Sequence, residues 1–415
     1  MLKIESITDE AHLAALVPEW EALNKTLSPR LPFTSPLWCL TWWKYYQRSN
    51  LKTRDELRVY VLRDATGELA AVAPMFLTHR PGRGPIRTRE LQFFGADSYV
   101  TELRGPVCRL ERTAEVVAAL SAHLATSGGF DWVQWRGLRL PADFDGWRGT
   151  FLPNPQLGTI DYILPLAHPW EAFRSGLPRN IKESMRKCYN SLARDKHSFT
   201  LKVVSSPDEV PAALARFFEL HENRAEKTGT IDHDNVFDAP QARSFLTEYC
   251  QSLAREGSLR IFQIVINDQV VANRIGFALD GDLYLYFSGY DVVWGQYSVM
   301  TTVVAEAIKW AIENGFKVVN LSTGTDVSKT RWRPEPIHFT GGFTVAPALS
   351  SRVAFAIIDR LRKRSSPKPP GPANSQEPGA SGGAPSATTA PAGATKPDGP
   401  QTPPPARKSA AVQLA

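Results

Sequence analysis

The sequence repeats one arrangement of predicted secondary structure, and this repeat constrains the fold more than any other feature. Residues 58–77 and 260–279 each read as two short strands joined by a tight turn. Extended sequence, an amphipathic helix and a closing strand follow each pair. The helix and strand are predicted at 111–127 and 130–135 in the first copy, and at 301–314 and 316–321 in the second. We therefore expect an α/β (α+β) fold of two tandem lobes, each with a mixed, mostly antiparallel sheet.

Four regions follow from the repeat and from a change in composition. We predict a first lobe at residues 1–165, a second lobe at 166–348, a basic amphipathic helix at 349–364 and a disordered Pro/Ala/Ser-rich tail at 365–415. Of the 32 prolines, 12 lie after Arg364, where few large apolar side chains exist to offset the entropy of ordering. The basic helix either ends the last domain or rests on an anionic membrane surface.

The charge and the cysteines exclude several classes of protein. The net charge is +6, of which the tail contributes about +2, so the body is too weakly basic to indicate a nucleic-acid partner. The four cysteines are far apart and have neither disulfide-framework nor zinc-ligand spacing. The N-terminal residues do not resemble a signal peptide, and no apolar run is long enough to span a membrane. We expect a cytoplasmic protein without a metal.

A basic helix is predicted between the two copies of the repeat. Its apolar stripe has spacings of four, three and four residues: Ile181, Met185, Cys188 and Leu192. Arg179, Lys182 and Arg186 share another face, which could attract phosphates or an acidic saccharide, or simply remain solvated.

The motifs of several enzyme classes are missing. The sequence contains no GxSxG elbow, no GxxxxGK[ST] loop, no HExxH and no GxGxxG after a strand. This argues against hydrolases, nucleotide triphosphatases, zinc enzymes and dinucleotide oxidoreductases. It favours chemistry that depends on binding and positioning of the substrates.

Ordered motifs nevertheless resemble a known family. They are the basic helix after LPRN (Arg179, Asn180, Arg186, Lys187), the segment LHENRAEKTG (His221, Arg224, Gly229), the strand pair ANRIGFALDGDLYLYFSGYD, the helix AEAIKWAIENGFKVVNLSTG, the group Lys329, Arg331 and Trp332, and PFTSPLWCLTWWKYY near the N-terminus. Together they resemble the CelD/BcsL-type acetyltransferase domain, within the Gcn5-related N-acetyltransferase superfamily and its FemAB-like tandem branch.

The resemblance implies two tandem acetyltransferase-like lobes and a function. The function is acyl-CoA-dependent acyl transfer, N- or O-acetyl, with acetyl-CoA or another acyl-CoA as co-substrate. A small-molecule or saccharide acceptor is implied, with polysaccharide or cellulose biosynthesis as context. We expect the second lobe to hold the site and the first lobe to be structural, forming one wall of a cleft between them.

Candidate site residues can be assigned to three roles. Tyr290 and Asp291 close the strand at 282–290 and could exchange a proton at the acyl carbon. Acyl-CoA would contact a second group: Gly289, Gly295, Ser298, Arg186 and Lys187. The acceptor would contact a third group, which includes residues just after a strand end: Arg179, His221, Arg224, Ser322, Gly324 and Lys329.

Two alternatives stay open, and the first of them rests on one departure from the family pattern. Relatives carry Ser-Pro-Gly before the helix that binds the pyrophosphate, whereas this chain has Ser298, Val299 and Met300. One alternative is a degenerate acetyltransferase fold acting as a non-enzymatic binding or scaffold protein. The other is a Fem-like aminoacyl transferase that acts on a cell-wall precursor.

Overall fold

The computed structural model describes residues 2–81, 87–97, 99–225 and 235–365. In these ranges the strands are β1 (Lys3–Ile7), β2 (Arg54–Leu57), β3 (Val59–Arg63), β4 (Leu69–Ala73), β5 (Met75–Pro81), β6 (Arg87–Phe93), β7 (Val107–Cys108), β8 (Trp132–Leu138), β9 (Phe151–Pro153), β10 (Thr159–Pro165), β11 (Phe199–Val204), β12 (Leu259–Ile266), β13 (Gln269–Leu279), β14 (Asp282–Tyr290), β15 (Val318–Thr323) and β16 (Glu335–Val345). The helices are α1 (Glu10–Asn24), α2 (Pro36–Tyr46), α3 (Thr113–Ser127), α4 (Trp170–Gly176), α5 (Arg179–Arg194), α6 (Val210–Ala225), α7 (Pro240–Arg255), α8 (Val299–Glu313), α9 (Val327–Thr330) and α10 (Leu349–Ser365).

The strands form two sheets. A small sheet has the order β1-β3-β4-β7. A twelve-stranded sheet runs β11-β12-β13-β14-β15-β10-β16-β8-β6-β5-β2, with β9 paired to β16. Most neighbours are antiparallel, and the parallel pairs are β14 with β15 and β6 with β8. The predicted mixed, mostly antiparallel α/β fold with a tandem arrangement is confirmed.

The repeated hairpins form, but the first one differs from the prediction. The strand expected up to residue 77 is broken at Pro74, so that β4 pairs with β3 in the small sheet while β5 pairs with β6 in the large one. Proline has no amide hydrogen to donate to a ladder, which explains why the chain leaves one sheet there. The hairpin of β12 and β13 forms as predicted, with one register shift between Ile264 and Val265.

Helices cover both faces of the sheet in the second lobe. Leu283 and Leu285 of β14 pack in one core cluster with residues of α5 and α8, whereas Tyr284 and Tyr286 pack in another with α6 and α7. The predicted apolar stripe of α5 is buried in full. Alternation of side chains along β14 thus supplies both cores.

The core cluster that contains residues of α6 and α7 also includes residues of the first lobe. Trp38 of α2 is 1% exposed, and its ring lies 5.0 Å from Phe245 and 4.7 Å from Tyr249 of α7. Residues up to Ala356 form one compact unit. The predicted boundary at 165/166 stays a prediction, and the predicted tail lies, apart from Ser365, outside the described residues. In the described part of the chain, no helix is both long and apolar enough to cross a membrane.

Candidate active site

Strands β14 and β15 pair over only a short stretch. Their parallel register runs from Asp282 opposite Val318 to Tyr284 opposite Asn320. Beyond this point β14 continues to Tyr290 and β15 to Thr323 without further pairing between the described residues. We call the gap between residues 285–290 of β14 and 321–323 of β15 the notch.

The wall of the notch formed by β14 contains a β-bulge. Arg274 of β13 lies opposite Ser288, but Gly276 lies opposite Leu285, so Tyr286 and Phe287 together face one residue of β13. Neighbouring side chains in a regular strand point to opposite faces, yet the rings of Tyr286 and Phe287 are 4.5 Å apart. A bulge breaks the ladder and leaves backbone groups free to bind a ligand.

A loop from the first lobe reaches the notch. The loop follows β6, and within it the carbonyl of Val100 accepts a hydrogen bond from the Tyr286 hydroxyl. The carboxylate of Glu102 accepts from the Tyr284 hydroxyl on β14 and, at 2.8 Å, from the Ser322 hydroxyl on β15. Glu102 therefore bridges the two strands where they begin to separate.

A second carboxyl group lies beside the notch. Asp161 of β10 is fully buried, and its Oδ2 accepts from Asn320 Nδ2 at 2.7 Å. Its Oδ1 has no hydrogen-bond partner among the described residues. Burial, together with the charge of Glu102, raises the pKa of Asp161 to about 6. Burial also raises the pKa of Glu102, although Lys329 and the Tyr284 and Ser322 hydroxyls oppose this shift.

Three cations accompany these carboxyl groups. Arg274 donates to the Leu285 carbonyl at 2.9 Å, and Arg224 donates to the Ser288 hydroxyl at 3.1 Å. Lys329 donates to the carbonyl of Thr323 at the end of β15. Burial lowers the pKa of all three, that of Arg274 to about 10. The notch thus holds opposite charges in a poorly hydrated place, where each acts strongly on the others.

Helix α8 begins shortly after β14. Ser298 precedes it in the left-handed conformation (φ 54°), and the Ser298 amide donates to the Gly295 carbonyl at 3.0 Å. Cys188 of α5 lies 3.9 Å from the Ser298 carbonyl, so α5 packs against the start of α8. The first amides of a helix have no partner inside it and favour an anion.

The structure brings several predicted residues together. Ser322 lies near the C-terminal end of β15, and Lys329 lies in α9 just after it and contacts that end. A Cβ on Gly324, between the two, would be 3.4 Å from the Lys329 amine. His221 Nδ1 lies 3.0 Å from the Ser288 carbonyl, so His221 and Arg224 both contact β14.

Other predicted residues have local structural contacts. Asp291 Oδ1 accepts from the Val293 amide, and the Tyr290 ring packs against the core that contains α8. Arg186 and Lys187 are exposed on α5. Arg179 is exposed and pairs with Glu183 at 2.7 Å, without contact to the notch among described residues. Gly229 lies outside the described residues. The roles assigned to all these residues stay predictions.

Gly289 is needed for packing. A Cβ there would lie 2.6 Å from the His221 amide nitrogen and 2.7 Å from the Leu220 carbonyl carbon of α6. We expect Gly289→Ala to lower the free energy of unfolding by about 1–3 kcal/mol, because backbone atoms cannot yield as flexible side chains do. Chemical denaturation measures the change. Gly281→Ala is a comparison without crowding, although its positive φ (98°) carries its own backbone strain. A Gly289→Ala variant as stable as wild type would contradict this packing.

Sequence reasoning missed four residues of the notch. Asp161 and Arg274 are single charges within apolar strands, a local signal that points to a buried polar site. Asn320 is a weaker signal of the same kind. Glu102 has no such signal, because its partners are 182 and 220 positions away along the chain.

Comparison with known proteins finds one family and several solved structures that this chain resembles. Residues 179–330 match the family described as acetyltransferase (GNAT) domain. The crystal structure of FemX superposes with a TM-score of 0.54 at 10% identity, covering 85% of this chain and 99% of that one. A tandem GNAT protein from the clavulanic acid biosynthesis pathway gives 0.40 at 12% identity, covering 83% and 99%. No curated protein matches the sequence. The chain therefore shares the overall fold of FemX, and its residues 179–330 are similar to the acetyltransferase (GNAT) domain family.

Proposed function

We propose that the protein transfers an acyl group from acyl-CoA to an amine or hydroxyl acceptor at the notch. One observation carries the proposal: Glu102 is held between β14 and β15 where the strands separate beside a β-bulge. A carboxylate with a raised pKa in such a place suits proton transfer.

The start of α8 suits the phosphates of the donor. The Val299 and Met300 amides belong to the first turn, and Arg186 and Lys187 are exposed on α5, which packs against that turn. Helix amides and cations together form an anion site. Ser298 already takes the left-handed conformation without Pro-Gly after it, which supports the proposal despite the altered turn.

The proposed reaction needs one proton acceptor. The acceptor nitrogen or oxygen forms a bond to the thioester carbonyl carbon, the carbon–sulfur bond breaks, and CoA leaves as the thiolate. The proton lost by the acceptor passes to Glu102. Asp291 is a less suitable base, because its carboxylate caps the turn after β14 through the Val293 amide.

The finer assignments rest on the sequence resemblance. We propose acetyl-CoA as the donor, a small molecule or saccharide as the acceptor, and a role in polysaccharide or cellulose biosynthesis in the cytoplasm. Aminoacyl transfer is the second candidate, since the chain resembles Fem-like relatives and has the fold of FemX. The scaffold alternative predicts that no acyl donor binds.

Acetyl-CoA is expected to stabilise the folded chain. At 100 times its dissociation constant a ligand adds about 2.7 kcal/mol to the free energy of unfolding. Thermal denaturation with and without acetyl-CoA measures this effect, and dephospho-CoA and acetate serve as controls. An unchanged melting temperature at millimolar acetyl-CoA would contradict the proposal and favour the scaffold or the aminoacyl alternative, which a titration with aminoacyl-tRNA would then separate.

The same assay tests the basic helix. We expect Arg186→Ala combined with Lys187→Ala to weaken acetyl-CoA binding more at low than at high salt, because the lost contacts are electrostatic. Lys25→Ala with Lys52→Ala removes two exposed charges that lie outside α5 and is the matched control. Equal effects of the two double variants would mean that Arg186 and Lys187 act only through the general charge of the protein and not through contact with acetyl-CoA.

A further inference from the structure

Helix α10 is anchored to the rest of the fold by one of its sides. The ring of Phe355 lies 5.6 Å from that of Trp132 and 5.1 Å from that of Phe343. The Ser351 hydroxyl donates to Asp131 Oδ1 at 2.7 Å, and both Ser351 and Phe355 are buried. This side of α10 therefore completes the core beneath it, as expected for the last helix of a domain.

The opposite side of α10 faces solvent and is largely apolar. Leu349 is 77% exposed and Val353 is 48% exposed, and Arg352 and Ala356 are exposed as well. Residues three and four positions apart are neighbours on a helix, so these four side chains share one side of it, which we call the outer face. An exposed side of a helix is normally polar, and an apolar patch on it indicates a partner.

The outer face also carries positive charge. Arg352 lies in it and forms no ion pair among the described residues. Further along the sequence the same helical spacing continues with Ile357 and Arg360. Residues 349–365 contain five arginines and lysines but one acidic residue, Asp359. The partner of the outer face should therefore be apolar and negatively charged at the same time.

Three other partners fit this combination less well. A second copy of the chain, paired through two outer faces, would bring the positive charges of one helix against those of the other. The sequence after residue 365 offers only two large apolar side chains, Val412 and Leu414, to cover the face. A nucleic acid would pair with the arginine but would leave Leu349 and Val353 in water.

We propose that the outer face of α10 binds the surface of an anionic phospholipid membrane. Leu349 and Val353 enter the boundary between headgroups and acyl chains, and Arg352 reaches the lipid phosphates with its long side chain. Buried apolar area and attraction to anionic lipids together hold such a helix in the plane of the interface. No residue of the notch takes part, so the proposal is independent of acyl transfer.

Co-sedimentation of the full chain with lipid vesicles tests the proposal. We expect saturable binding to vesicles of phosphatidylglycerol and phosphatidylcholine in equal parts. Binding to pure phosphatidylcholine should be at least about 10-fold weaker, because the attraction between charges is lost. Added salt should weaken binding to the anionic vesicles. No binding to the anionic vesicles, or equal binding to both kinds, would overturn the proposal.

Single substitutions locate the binding on the outer face. Val353→Asp places a negative charge in the face at an exposed position and should weaken binding to the anionic vesicles about 10-fold or more. Leu51→Asp makes the same change of charge at another exposed apolar residue and is the matched control. Arg352→Gln should weaken binding about 5-fold, whereas Arg148→Gln, at an exposed arginine elsewhere, should not. Full binding by Val353→Asp would overturn the proposal.

The same variant tests a second copy of the chain as the partner. Sedimentation velocity without lipid measures the oligomeric state of the wild type and of Val353→Asp. We expect the two to have the same oligomeric state. A wild-type dimer that Val353→Asp converts to monomers would overturn the proposal and assign the outer face to self-association.

Discussion

Glu102→Gln is expected to lower kcat/KM for acyl transfer by about 10²- to 10⁴-fold while the chain stays folded. The substitution keeps the size of the side chain and one oxygen that accepts from the Tyr284 and Ser322 hydroxyls. It removes the ability to take a proton, together with the negative charge that Lys329 and Arg274 face. The loss should therefore fall mainly on kcat, because no contact to the bound donor is changed.

Release of the CoA thiol from acetyl-CoA, with a panel of amines and amino sugars, measures the rate. Glu111→Gln is the matched control, an exposed carboxyl of the first lobe outside the notch. The wild-type rate should rise with pH through the pKa of Glu102, which burial places above the ordinary range, and this rise should vanish in the variant. A variant that retains activity within about threefold would exclude Glu102 as the base.

Ser322→Ala tests whether the Ser322 hydroxyl tunes Glu102 as the proton acceptor or makes only a structural contact. The Ser322 hydroxyl stabilises the charged form of Glu102, so its loss should move the pH profile to higher pH. A merely structural Ser322 would lower the melting temperature and leave the profile in place.

The individual helices and strands of the second lobe were predictable because their apolar residues recur at the spacing of a helix or a strand. The helix with Ile181, Met185, Cys188 and Leu192 forms as predicted, and its four apolar residues are buried. Each of these elements depends on residues within a few turns or one hairpin. Sequence patterning reports such local order directly.

The break at Pro74 was missed for a different reason. Residues 69–77 are apolar throughout, and that pattern alone fits a continuous strand. Which sheet each half joins depends on partners elsewhere, β3 for one half and β6 for the other. Only the proline marked the position locally.

The candidate site was predictable in part. Ser322 and Lys329 were predictable as site residues. They lie at and just past the end of a strand that follows a helix, and ligand sites gather at such strand ends. The carboxylate that contacts Ser322 comes from a loop of the first lobe. No local pattern joins Glu102 to its partners, so only the tertiary fold reveals that the first lobe contributes to the notch. The expectation of a purely structural first lobe is therefore replaced by our proposal for Glu102.

Asp161→Asn is expected to stabilise the chain by about 3 kcal/mol at about pH 8 and to have little effect below about pH 4. Burial raises the pKa of Asp161 to about 6 in the folded chain, against about 3.9 when unfolded. Between these values the folded chain binds more protons than the unfolded chain, so the wild-type free energy of unfolding falls as pH rises. The loss begins near the unfolded pKa and is complete above the folded one.

The Asp161→Asn variant should escape this loss because an amide does not ionise, while the amide oxygen still accepts from Asn320 Nδ2. Denaturation midpoints across the pH range measure the difference, and the exposed Asp143→Asn is the matched control. A variant that is less stable than wild type above about pH 7 would show that the Asp161 charge is compensated in the folded chain. The raised pKa would then be wrong, and the carboxyl group would be a permanent anion that holds the cations of the notch.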